Sequence, residues 1–171
     1  IGPYIQENNK KSEKVDLENL NLKVVENVKG FAMFMNLSEF KDIGFFDEDF
    51  FIYFEEIDLC RRVIKNKKKI YLIPSIKINH SGGQSHNSSI NKEMELSRNW
   101  HWMWSTFNYH KKHKGFIFAL MKVFNKLFSG VLKFLIYLIL FNTQKRNIYY
   151  QRCSGIINAI RGNKSWYRPK V

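Results

Sequence analysis

An α/β segment followed by a mainly helical extension is the fold class that the sequence predicts, on three observations. Apolar runs of strand length alternate with helix-period segments between residues 22 and 80. From about Ile90 the pattern becomes helical, with Trp and Lys recurring toward a basic tail. The charge divides at nearly the same place. Residues 1–95 hold 14 Lys and Arg against 15 Asp and Glu, whereas residues 96–171 hold 14 Lys and Arg and no acid. The net charge of +13 therefore belongs to the C-terminal part, and the predicted domains are 1–88 and 89–171.

Residues 6–21 are polar and read as a surface loop or linker. Gly30 leads into Phe31-Ala32-Met33-Phe34-Met35, an unbroken apolar run predicted to be a buried strand. Asn36 or Ser38 caps a short helix through Phe40 to Ile43, which Gly44 stops. A Phe-rich acidic turn, Phe45 to Phe51, precedes a helix from about Phe54 to Asn66. Lys67-Lys68-Lys69 turns the chain into a strand at 70–73, and beyond Pro74 a second extended piece runs from Ile76 to His80. Ser81-Gly82-Gly83 and a polar loop then lead to the helical part.

With 171 residues the chain is long enough for one domain with a real core. Hydrophobic residues at 44% and charged residues at 25% exclude a largely disordered chain. Two cysteines, Cys60 and Cys153, exclude a disulfide scaffold or a cysteine zinc site, so a reducing cytoplasm is the expectation. No signal peptide is visible. The chain opens Ile1-Gly2-Pro3-Tyr4 without Met, which suggests a start partway through a longer protein.

Helical periodicity over 54–66 puts Ile57, Leu59, Cys60, Val63 and Ile64 on a buried arc. Glu55, Asp58, Arg61, Arg62 and Lys65 fall on the opposite, solvated arc, with Asp58 paired to Arg61 or Arg62. Glu56 is the anomaly: it lies amid the apolar arc with no cation four positions on. Two readings follow. It is a first-turn acid that complements the helix dipole, or it opens into a cleft as a general base.

Gly30 to Met35, then Gly44-Phe45-Phe46-Asp47-Glu48-Asp49-Phe50-Phe51-Ile52-Tyr53-Phe54-Glu55-Glu56-Ile57-Asp58-Leu59-Cys60-Arg61-Arg62, and His80-Ser81-Gly82-Gly83-Gln84-Ser85 downstream, resemble the second half of a family 2 glycosyltransferase of the rhamnosyltransferase-like, non-processive kind. The resemblance covers roughly residues 1–115 and implies a partial GT-A (nucleotide-diphospho-sugar transferase) fold. It also implies inverting transfer from a nucleotide-sugar donor to a hydroxyl of a glycan or lipid-linked acceptor. Glu56 would be the catalytic base, where the family often has Asp. His80 would be a ligand of a divalent metal, Mg or Mn. Gly30, Asp47, Glu48, Glu55 and Ser85 would be substrate-binding, with Gly30 in the wall near the transferred sugar. Asp47-Glu48-Asp49 spells D-x-D, but the resemblance places it in the acidic turn rather than at the metal. The genuine D-x-D and the donor-binding half would precede Ile1, so that this fragment alone would not turn over.

Residues 116–141 read as one apolar helix on which Lys122, Lys126 and Lys133 share an arc of roughly 40° at about 100° per residue. Its longest charge-free stretch, Phe134 to Gln144, is short of the roughly 20 apolar residues needed to span a bilayer. A narrow Lys stripe on a broad apolar helix suits an anionic membrane surface, with Trp100, Trp102 and Trp104 as further interfacial residues. The alternative is that this helix is protein core. The expected location is cytoplasmic, peripheral on the inner face of the cell membrane. The competing functional class is a non-catalytic membrane-interface binding module. Nucleic acid ranks behind both, because the basic residues accompany no recognised binding motif, and it is not an expected partner.

Overall fold

The structure is a computed structural model that describes residues 21–80 and 90–169. Most of the 6–21 linker, the 88/89 boundary, the Ser81-Gly82-Gly83 turn and Ser85 lie outside the described residues. The described residues are mostly helical and carry one two-stranded sheet. Strand β1 (Lys23–Val25) pairs antiparallel with β2 (Ile70–Leu72), with Val24 opposite Tyr71. Between them come a 3₁₀ turn (Leu37–Phe40) and helix α1 (Glu55–Lys65). Helices α2 (Asn91–Lys114), α3 (Phe116–Ile139) and α4 (Thr143–Ile160) follow.

β2 occupies the predicted 70–73 strand, but the Phe31–Met35 run is no strand. A buried strand needs partners for its backbone N–H and C=O groups, and among the described residues the only ladder is β1–β2. The run is irregular, and Phe34 is 93% exposed. The extended piece 76–80 likewise forms no strand. The short 37–43 segment follows its sequence signals. Asn36 Oδ1 accepts from the Ser38 backbone N–H at 3.3 Å, and Gly44, at φ +71°, donates its N–H to the Phe40 carbonyl at 2.9 Å.

Helix α1 begins after two strained residues. Tyr53 and Phe54 both hold left-handed φ values, +68° and +71°, a conformation that costs a non-glycine residue roughly 1 kcal/mol or more. Packing against α2 holds them there. Tyr53 and Phe54 lie 5.1 and 5.5 Å from the Trp102 ring, and Phe54 lies 5.2 Å from Tyr109. Ser105 Oγ donates to the Ile52 carbonyl at 3.0 Å. The strained turn thus sets where the first turn of α1, with Glu55 and Glu56, begins.

The C-terminal helices pack as a bundle. Gly115 alone joins α2 to α3, and its φ of +86° is one that glycine adopts without a Cβ penalty. The core contains Trp100, Met103, Trp104 and Phe107 from α2, Ala119 and Val123 from α3, and Ile156 and Ala159 from α4; Phe50 of the acidic turn joins it. Trp100 and Trp104 are therefore core residues, not membrane-facing ones, which corrects the sequence expectation. Their indole N–H groups are satisfied inside, on Ser154 Oγ at 3.2 Å and the Asn163 carbonyl at 2.9 Å. Trp102 is partly exposed, yet it covers the Tyr53–Phe54 turn. At Gly155 the backbones of α4 and α2 approach so closely that a Cβ would lie 2.3 Å from the Trp100 carbonyl oxygen.

Candidate functional site

The start of α1 gathers several of the residues singled out in the sequence. Glu56 is half-buried, and its Oε2 is buried without a hydrogen-bond partner among the described residues. Gly30 lies against it: a Cβ there would sit 3.5 Å from Glu56 Cβ and 4.0 Å from its carboxyl carbon. The adjacent Glu55 also has a buried Oε2 without a partner among the described residues. Burial raises the Glu55 pKa, and the neighbouring Glu56 charge adds to the rise. Two adjacent first-turn carboxylates thus each carry a buried oxygen with no partner among the described residues.

Phe31, next to Gly30, stacks on the His80 imidazole with ring centroids 4.7 Å apart and planes 2° from parallel. Phe31 also lines a groove of about 990 Å³ whose walls include Met33, Leu59, Cys60, Val63 and Ile70. Glu56 is not among the lining residues; Cys60, one turn along α1, is. Gly30 thus lies against Glu56, while its neighbour Phe31 stacks on His80 and lines a groove whose walls do not include Glu56.

His80 is exposed. Among the described residues no three His, Cys, Asp or Glu side chains group as a metal site. The side chains described offer an ion one imidazole and no completed ligand set.

Asp47 is engaged on both oxygens. Oδ1 accepts from the Asp49 backbone N–H at 2.9 Å, and Oδ2 accepts from Lys112 Nζ at 2.6 Å. These contacts fold the acidic turn and moor it to α2. Glu48 is exposed beside it, and Ser85 lies outside the described residues.

Asp58 is where the periodicity misled. Assigned to the solvated arc, it is fully buried, because α2 packs on that side of α1. Its carboxylate accepts from Arg62 Nε at 2.8 Å, Lys112 Nζ at 2.8 Å and His113 Nε2 at 2.7 Å. Burial by itself would raise its pKa, but the hydrogen bonds from Lys112, Arg62 and His113 outweigh burial and hold it below the usual carboxylate value. Burial, joined by the charges of Arg61 and Lys65, lowers the His113 pKa against the raising effect of Asp58, to whose carboxylate its Nε2–H donates. Ile64, assigned to the buried arc, is exposed; Leu59 and Cys60 are buried as expected.

Arg62 extends the network. Besides Asp58 it donates to the carbonyls of Ile43 at 2.6 Å and Gly44 at 2.8 Å, and also to that of Phe45. One guanidinium therefore pins the entry of the acidic turn to α1. The i, i+4 spacing of Asp58 and Arg62 is visible in the sequence. Lys112 and His113, over fifty residues away, carry no local signal that connects them to it.

No family model matches the chain, and no solved structure matches it. A stretch of 42 residues, 25% of the chain, is 45% identical to the low-salt glycan biosynthesis hexosyltransferase Agl10 of Haloferax volcanii. The stretch spans 14% of that protein's length. Part of this chain is thus similar to a hexosyltransferase of glycan biosynthesis.

Proposed function

We propose that the chain carries the acceptor side of a glycosyltransferase, with Glu56 as the base. In this reading the enzyme is an inverting, family 2-like transferase of GT-A fold that moves a sugar from a nucleotide donor to a hydroxyl of a glycan or lipid-linked acceptor. The observation that carries it is the pair of buried carboxylate oxygens on Glu55 and Glu56 without a partner among the described residues, at a helix start set by a strained turn, with Gly30 against Glu56. The short similarity to a hexosyltransferase supports it.

Glycosyl transfer with inversion needs little more from this side of the site. The acceptor hydroxyl attacks the anomeric carbon from the face opposite the leaving group, and its proton passes to a carboxylate. The bond from the anomeric carbon to the phosphate oxygen breaks, and the nucleoside diphosphate leaves with the electron pair. A carboxylate in the first turn stands at the positive end of the helix dipole, and an acceptor hydroxyl within its reach could pass it a proton. Glycine at position 30 brings the backbone close beside the Glu56 side chain. A divalent ion, magnesium or manganese, belongs to the reading, and His80 would be one of the residues that hold it. When bound it would offset charge on the leaving diphosphate.

The test is Glu56→Gln in the gene product as the cell makes it, assayed by nucleoside diphosphate release from a panel of nucleotide sugars. Loss of a general base lowers turnover by about 10²–10⁴-fold. Glu56→Gln with unchanged turnover overturns the assignment.

A further inference from the structure

We propose that the outer face of α3 and the α3–α4 turn form a docking surface for an anionic lipid bilayer, with Leu140 and Phe141 as the inserting tip. This inference is independent of the glycosyl-transfer reading.

Ala119, Val123 and Gly130 mark the side of α3 that is buried in the bundle. Ile117, Met121, Phe124, Phe128, Leu132 and Leu135 fall on the opposite side and are all exposed. No polar side chain interrupts that arc, which runs along a helix of 24 residues, roughly 36 Å at about 1.5 Å per residue. A contiguous exposed apolar face of this kind marks a site of interaction with another surface. At the end of α3 the exposure increases. Ile139 and Phe141 are 74% and 89% exposed, and Phe141 is held at a left-handed φ of +51°. The Asn142 side chain caps the next helix by accepting from the Lys145 N–H at 3.0 Å, which fixes the turn behind the tip.

The flank of α3 beside the apolar arc is basic. Lys114 and Lys122 both lie over the Phe118 ring, at 4.5 and 5.4 Å. Lys133 and Arg152 share the Tyr149 ring, at 5.3 and 5.7 Å, and Lys145 lies over Tyr137 at 5.2 Å. Among the described residues none of these cations forms an ion pair. The field they create is felt locally: burial, then the charges of Arg152 and Lys122, lower the Lys126 pKa.

An apolar face edged by unneutralised cations is complementary to acyl chains beneath phosphate headgroups. A second copy is a poorer occupant, because pairing this face with itself would bring two acid-free, basic segments together. No helix among the described residues is long and apolar enough to cross a membrane, so the face would lie along the bilayer surface.

The experiment is co-sedimentation of the full chain with large unilamellar vesicles of phosphatidylcholine, alone or mixed with phosphatidylglycerol. Partitioning is expected to be at least about tenfold stronger on the anionic vesicles and to weaken with salt. Leu140→Ser with Phe141→Ser, both at an exposed turn, should weaken it by about tenfold or more. Lys122→Gln with Lys133→Gln should remove most of the anionic preference while far-UV circular dichroism stays unchanged. No partitioning, equal partitioning on both vesicles, or insensitivity to the tip variant overturns the proposal. Concentration-dependent self-association abolished by the tip variant also overturns it, in favour of a second copy.

Discussion

Asp58→Asn is expected to loosen α1 from α2. The carboxylate is fully buried and accepts from Arg62, Lys112 and His113 at 2.7–2.8 Å. Removing one member of a buried ion pair costs about 3–5 kcal/mol when the partner charge is stranded. Here the stranding is incomplete. Arg62 keeps the carbonyls of Ile43, Gly44 and Phe45, and Lys112 keeps Asp47. Asparagine also retains one accepting oxygen. A loss of about 2 kcal/mol follows, nearer the worth of hydrogen bonds to charged groups.

Urea denaturation followed by helical circular dichroism at neutral pH measures it. The pH dependence then separates a charge effect from a packing effect. Because the folded-state pKa of Asp58 is depressed, its contribution is fully present above the ordinary value of 3.8 and is lost as pH falls through the lower folded value. Below about pH 4 the difference between wild type and Asp58→Asn should shrink as Asp58 takes up its proton. A variant within about 0.5 kcal/mol of wild type at neutral pH would show that this carboxylate does not anchor the two helices.

Two more outcomes can be measured in the same way. Gly155→Ala should destabilise by about 2 kcal/mol, because a Cβ 2.3 Å from the Trp100 carbonyl forces α2 and α4 apart and outweighs alanine's helix preference; a neutral or stabilising result would mean a looser crossing. Stability should also decline as pH falls from about 6.5 toward 4. Burial lowers the pKa of His101 from 6.5 to about 4, so the unfolded chain takes up the proton first; the loss reaches about 3 kcal/mol, and a flat profile between those pH values would refute it.

Local chemistry made several elements readable. The Asn36 cap and Gly44 stop bracket the 37–43 segment, and the period of 54–66 gives α1 within a residue of its start. The long apolar stretch gives α3. Glu56 stood out because an acid on an apolar arc is a contradiction that only surroundings can resolve, and the structure puts Gly30 beside it. The failures share a cause. Phe31–Met35 looks like a strand by composition, but strand formation needs a neighbouring ladder that is not found among the described residues. Trp100 and Trp104 look interfacial by type, but the bundle buries them.

The order of helix-forming and chain-turning segments, the acid-free basic half and the oddity of Glu56 follow from the residue string, because capping, periodicity and charge act over a few positions. What faces what does not. That Lys112 and His113 close on Asp58, that Tyr53 and Phe54 hold strained conformations under Trp102, and that α3 leaves its most apolar side uncovered were decided when the helices packed. Burial and ion pairing between residues fifty positions apart depend on which faces meet, and a helical wheel shows one helix without its neighbours.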